Sequence, residues 1–148
     1  MKTPVEKPKV TSPYGQRVLN GVSQFHDGID FISKNNNRDV FSIGPGVAVL
    51  DYDDYDDTKR WTDQRNSAGN YVIIKTKLDD GIEYYVRYLH LRENEITKGQ
   101  EIKEGEKIGE YDDVGYSFGA HLHLDAYNMA WKKINPTPLI ASILDGIK

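Results

Sequence analysis

The chain has 148 residues, 19 basic against 23 acidic side chains, and a formal charge of -4 with a pI near 5.5. That length fits one ordinary domain with a real core, and the acidic balance argues against a nucleic-acid partner, which rewards basic patches. The absence of cysteine excludes disulfides, thiolate metal sites and a cysteine nucleophile, so any bound metal must rest on histidine and carboxylate.

Residues 1–10 carry two prolines and three lysines. With little to bury, they predict a flexible lead or linker remnant ahead of a domain at 11–148. They hold charge but no apolar run, so they are not read as a secretory signal peptide. No stretch approaches the ~20 apolar residues of a membrane span. Thr11-Ser12-Pro13-Tyr14-Gly15-Gln16-Arg17 is a turn-rich entry, followed by Phe25-His26-Asp27-Gly28-Ile29-Asp30-Phe31-Ile32. Gly44-Pro45-Gly46 leads into Val47-Ala48-Val49-Leu50, a short apolar run that predicts a buried strand. Residues 51–69 form a long polar excursion, acidic from Asp51 to Asp57 and containing Trp61. It is expected to be a solvated loop, or a wall that helps choose substrate. An EF-hand calcium loop needs glycine at its sixth place and glutamate at its twelfth, and here those places hold Asp56 and Thr62.

Residues 71–77 and 83–91 are β-rich and joined around Asp80-Gly81, a strong hairpin signal. Alternation in the second run puts Tyr84, Val86, Tyr88 and His90 on one face. Residues 108–111 predict a short strand and 121–127 another. Asn135-Pro136 reads as an N-cap and first helical residue, with a short helix over 137–144. The expected fold is mainly β: a single domain, an antiparallel sheet with an open substrate groove, and a short C-terminal helix.

There are four histidines, His26, His90, His121 and His123. On a strand, His121 and His123 point to one face, with Leu122 and Leu124 on the other. Imidazole is a favoured zinc ligand. Pairing His121-x-His123 with His26-x-x-x-Asp30 supplies two histidines and a carboxylate beside an open position, the usual pattern of a catalytic zinc. In a straight strand His26 and Asp30 would be ~13 Å apart, too far to share an ion. The chain must therefore bend at Asp27-Gly28, where glycine permits it.

His26-x-Gly28-x-Asp30, Tyr88-x-His90-Leu91 and His121-x-His123 together resemble the motifs of the lysostaphin/LytM-type zinc metallopeptidases, which cut peptidoglycan cross-bridges. The entry segment at 11–17, Gly44-Pro45-Gly46-Val47, Gly69-Asn70-Tyr71-Val72-Ile73-Ile74, Gly105-Glu106-Lys107-Ile108-Gly109 and Asn135-Pro136 resemble that family in order and spacing, so the likeness covers roughly 11–140. Two features depart from it. Ala120 and Asp125 stand where family members commonly have Pro and Glu, and Asp113-Val114-Gly115-Tyr116-Ser117-Phe118-Gly119 replaces a Gly-Thr-Gly-type approach.

The resemblance implies one Zn2+ per chain held by His26, Asp30 and His123. It implies His121 and His90 as catalytic histidines: His121 as general base and then donor to the leaving amine, His90 orienting it or stabilising the oxyanion, with the two roles exchangeable. It implies a peptidoglycan stem peptide or cross-bridge as substrate and action at the bacterial cell wall. A lone catalytic domain suits a phage-encoded, virion-associated lysin or a domain excised from a secreted protein. Two rivals stand beside this reading: a non-catalytic wall-binding or regulatory module on the same fold, and a zinc hydrolase of another substrate class.

Overall fold

Alternation along three long strands decides which face of the sheet becomes core. Val72, Ile74 and Thr76, then Val86 and Tyr88, then Leu122, Leu124 and Ala126 are buried, each two residues from the next. This is the period that turns successive side chains to opposite faces. Leu122 and Leu124 thus lie in the core, as expected, and leave the opposite face of their strand to His123 and Asp125.

The computed structural model describes residues 1–62, 67–117 and 119–147. Its strands are β1 Pro8–Ser12, β2 Gly15–Leu19, β3 Val22–His26, β4 Ile29–Ser33, β5 Asp39–Phe41, β6 Gly46–Tyr52, β7 Asn70–Lys77, β8 Glu83–Asn94, β9 Glu101–Ile102, β10 Lys107–Tyr111, β11 Leu122–Tyr127 and β12 Lys133–Ile134. Among the described residues, ten of these form one antiparallel sheet in the order β1-β4-β11-β8-β7-β6-β9. β10 bridges β5 and β8, and β12 flanks β11. The β2–β3 hairpin stands apart as a two-stranded ribbon, turned by Asn20 and Gly21, both with positive φ. The Asp80-Gly81 hairpin joins β7 to β8 as predicted, with Gly81 at φ +80° and Asp80 Oδ1 accepting the Ile82 N–H at 2.8 Å. No helix among the described residues is long and apolar enough to cross a membrane.

Two expectations are corrected. Residues 1–10 are laid down on the domain. Val5 is fully buried in the core, Lys2 N–H donates to Ile43 O, Phe41 N–H donates to Pro4 O, and β1 pairs antiparallel with β4. One buried valine and a strand edge outweigh the prolines and lysines that read as a linker. The C-terminal helix is α1 Ala141–Asp145, later and shorter than predicted. Asn135 Oδ1 does cap a turn, accepting the Thr137 N–H at 2.9 Å. Pro138, however, removes a donor and disfavours helical backbone at Thr137. The polar excursion after β6 holds a short 3-10 turn, Asp57–Lys59, capped by Asp56; its residues 63–66 lie outside the described residues.

Candidate active site

β4 and β11 are neighbours, and their register sets His123 directly opposite Asp30. His26 ends β3, Asp27-Gly28 turns the chain, and β4 carries Asp30 back beside it. The predicted bend thus brings His26 Nε2 to 3.2 Å from Asp30 Oδ1. His123 Nδ1 lies 2.9 Å from the same oxygen and 3.2 Å from His26 Nε2. Gly28 serves for a different reason from the one its sequence suggested. Its φ is not positive. A Cβ there would stand 2.4 Å from His123 Nε2 and 2.6 Å from Leu124 O, so the imidazole fills the space that a side chain would need.

His90 reaches the site by a route that alternation does not foresee. Val86 and Tyr88 are core residues, and Arg87 and Leu89 pair with Asp125 and His123 on the opposite face. His90 does not return to the core face with Tyr88. Its φ is +63°, the pairing of β8 with β7 shifts between Tyr88 and Leu91, and the side chain joins Leu89 on the groove side. Leu91 is back in the core. The bulge is held by His90 N–H on Ala68 O and by Asp112 N–H on His90 O. Positive φ is uncommon for residues other than glycine, though histidine is among the more tolerant. His121 lies just before β11, with Nε2 3.7 Å from Asp30 Oδ1 and its ring 4.7 Å from that of His90.

Each imidazole is tethered by the nitrogen that faces away from the centre. His26 Nδ1 donates to Pro13 O at 2.9 Å, His90 Nδ1 to Val114 O at 2.8 Å and His121 Nδ1 to Gly119 O at 2.9 Å. A carbonyl only accepts, so those nitrogens carry the hydrogen and each Nε2 is bare in the neutral ring. His123 is tethered the other way round, with Nε2 donating to Asp125 Oδ2 at 3.1 Å, which leaves Nδ1 facing Asp30 and His26. His26 Nε2 and His123 Nδ1, 3.2 Å apart, cannot both be bare in this contact: either His123 Nδ1 carries a proton or a metal cation is shared between them.

In the metal-free site that charge is a proton on His123. Burial opposes charge on His123, yet hydrogen bonds with Asp125, Asp27 and Asp30 outweigh it and push its pKa up to about 10. Burial and the neighbouring His121 and His123 push His90 down to about 3, so it stays neutral. Burial would raise Asp30, but His123 and His26 hold it well below the usual carboxylate range. Asp125 is fully buried and is held at about 2 against burial by His123 and by Arg87, whose Nε and Nη2 grip its two oxygens at 2.9 and 2.7 Å. Lys133 Nζ bridges Asp27 and Asp125 at 2.9 and 3.2 Å.

His26, Asp30 and His123 form a group able to hold a metal ion. Donor atoms 2.0–2.1 Å from a tetrahedral zinc would be about 3.3 Å apart, close to the 2.9–3.2 Å edges found here. The donor set therefore fits. Sequence reasoning brought together all five expected residues, but it noted Asp125 only as a departure and missed Asp27, Arg87 and Lys133. Spacing two residues beyond His123 could have found Asp125. The cations depend on cross-strand register and have no local signal.

The centre lies in an open groove of about 670 Å³, whose lining includes Arg17 and Phe25 on the β2–β3 side and Ser67 and Tyr116 on the other. A groove this open has room for an extended chain, and the donors beneath it could hold a cation, the combination expected of a metallopeptidase scaffold. The chain belongs to peptidase family M23, whose profile matches residues 24–136. A peptidoglycan DD-endopeptidase of Vibrio cholerae, ShyA, is 32% identical over 120 residues, covering 79% of this chain and 24% of ShyA. An uncharacterized metalloprotease of Haemophilus influenzae is 28% identical over 86% of this chain and 24% of its own length. The chain thus spans about a quarter of these curated relatives. Among solved structures, the catalytic domain of lysostaphin from Staphylococcus simulans is 25% identical, with a TM-score of 0.68 and coverage of 90% and 92%. A zinc-containing peptidase from Vibrio cholerae is 27% identical, with a TM-score of 0.62 over 86% of this chain and 35% of that one.

Proposed function

We propose that this domain is a zinc-dependent endopeptidase that hydrolyses the peptide cross-links of bacterial peptidoglycan. One zinc is held by His26, Asp30 and His123, and protons are moved by His121 and His90. The observation that carries the reading is the tethering pattern: four imidazoles fixed by their outer nitrogens, with the inner nitrogens of His26, His121 and His123 turned toward Asp30 and the His90 ring packed beside His121. Zinc held there would polarise the scissile carbonyl and acidify a water.

His121 presents a bare Nε2 toward Asp30, so it accepts a proton from the attacking water and returns it to the leaving amine. His90 is neutral, and its one hydrogen is committed to Val114 O. It has none to offer an oxyanion, so of the two roles open to it we assign that of steadying His121 in the protonated form, once His121 Nε2 carries the proton taken from water. The relatives' names put a link between D-residues first among the bonds to test, ahead of a glycine bridge. Those names also support action at the cell wall, where an enzyme carried by a phage particle would act equally well.

The test is digestion of purified sacculi, with the released fragments identified by mass spectrometry. The expected result is new amino termini at the cross-links, lost on chelation and restored by zinc. Zinc bound at one per chain with no fragment released would make the domain a non-catalytic wall module. Release of a product other than a peptide amine would move it to another hydrolase class.

A further inference from the structure

The polar excursion after β6 meets the site at its end, where Ala68 O accepts the His90 N–H at 2.8 Å, and again through Arg60. Its Arg60 side chain is mostly buried and spread across the loop that links β10 to β11. Nε donates to Gly115 O at 2.9 Å, and Nη2 donates to Asp113 Oδ1 at 2.6 Å and to Ser117 O at 2.8 Å. The Trp61 ring lies 4.5 Å beneath the guanidinium carbon.

The same loop supplies the carbonyls that fix both proton-handling imidazoles, Val114 O for His90 and Gly119 O for His121. Asp113 Oδ1 also accepts the Gly119 N–H at 3.1 Å, so one oxygen joins Arg60 to the residue that tethers His121. Ser117 Oγ donates to Gly119 O at 2.7 Å and lies 3.3 Å from His121 Nδ1. The loop is also locked to the end of the excursion. Gly115, at φ +76°, has no room for a Cβ, which would fall 2.4 Å from Gly69 N, and Tyr116 N–H donates to Ser67 O at 2.7 Å.

We propose that Arg60 is a positioning residue for His90 and His121: its guanidinium sets the 113–117 backbone so that Val114 and Gly119 present their carbonyls to the two rings. This rests on the proton-transfer roles given to those histidines above. Three acceptors arranged around one planar fork need the fixed donor geometry of guanidinium, which a lysine ammonium supplies only as a point charge. The excursion, readable in the sequence as a solvated acidic loop or a wall that helps choose substrate, thus delivers one cation to the scaffold of the proton-handling half.

The experiment compares wild type with Arg60→Met, Arg60→Lys and Asp113→Asn on peptidoglycan fragments, reading kcat, KM, zinc content and the imidazole N–H proton resonances. Arg60→Met is expected to lower kcat about 10–100-fold, the usual scale for an outer partner of a site residue. KM should stay within about twofold and zinc at one per chain, with Arg60→Lys falling between Met and wild type. The low-field N–H resonances of His90 and His121 should broaden while those of His26 and His123 stay sharp. If Arg60→Met fails to fold, Arg60→Lys and Asp113→Asn carry the same readout. Unchanged kcat in the folded variants, or a loss confined to zinc content or KM, overturns the proposal. An inactive but zinc-loaded wild type overturns the functional reading instead, and the N–H resonances then still decide whether Arg60 positions the rings.

Discussion

The two halves of the site are built by different kinds of structure. Asp30 and His123 face one another across the β4–β11 ladder, and their backbone bonds are those of the sheet itself. Moving either out of place means slipping a strand, which would turn Leu122 and Leu124 out of the core. His90 and His121 stand where regular structure breaks, one at φ +63° in a bulge and the other ahead of its strand. Their positions depend on a few carbonyls of the loop between β10 and β11. The proposed metal-holding geometry is therefore a property of the fold, and the proposed proton-handling geometry is a property of one loop and what braces it.

The widest separation between the halves is expected from two alanine substitutions two residues apart. His123→Ala removes a donor from the triangle, so zinc and activity should both disappear. His121→Ala leaves the triangle intact, so zinc should remain at one per chain while kcat falls about 10²–10⁴-fold, the scale of a lost general base. Metal analysis and initial rates on the same preparations check both. Loss of zinc in His121→Ala would erase the distinction.

Asp125→Asn tests whether the metal half extends behind its donors. Asp125 takes the Nε2–H of His123 and so keeps Nδ1 bare toward the centre. An amide oxygen preserves the shape and most of the hydrogen bonds but not the charge. Zinc affinity should weaken about 10–100-fold, as for other partners of metal-bound histidines, when measured by competition with a chromophoric chelator. At saturating zinc, kcat should stay within a few-fold of wild type. A fall in kcat with zinc fully bound would show that the two halves are coupled through His123.

What the sequence shows plainly divides along the same line. His121-x-His123 and His26-x-x-x-Asp30 are local spacings, and strand period together with a required bend was enough to bring them together. The face given to His90 was wrong because a bulge depends on partners in other elements, here Ala68 and Asp112, and leaves no mark on the alternation of β8. Gly28 was correctly seen as special for a reason that did not hold, since the imidazole crowding it comes from a distant strand. Arg87, Lys133 and Arg60 look like any surface cation until register and loop path place them. Residues 1–10 read as a linker because the burial of Val5 depends on a strand edge that forms elsewhere in the chain.

The smallest effect at neutral pH lies in the acid stability of the metal-free protein, where the two halves should titrate apart. His90 is depressed from 6.5 to about 3. The unfolded chain takes up that proton first, so stability present above pH ~6.5 is lost as pH falls toward 3, at up to about 1.4 kcal/mol per pH unit. Asp125 is depressed from 3.8 to about 2. Its contribution holds above pH ~4 and disappears as pH falls toward 2, at a cost of about 2 kcal/mol. His123 is raised to about 10; its contribution is complete below pH ~6.5 and lost only as pH rises toward 10, so it adds no slope in acid. Urea denaturation of the chelator-treated protein across pH 7 to 2 should show an upper slope and a lower step. His90→Gln should flatten the upper slope alone. An upper slope unchanged in that variant would mean that the loop does not hold His90 in its neutral, buried position, and would remove the electrostatic ground for treating the proton-handling half as a separate unit.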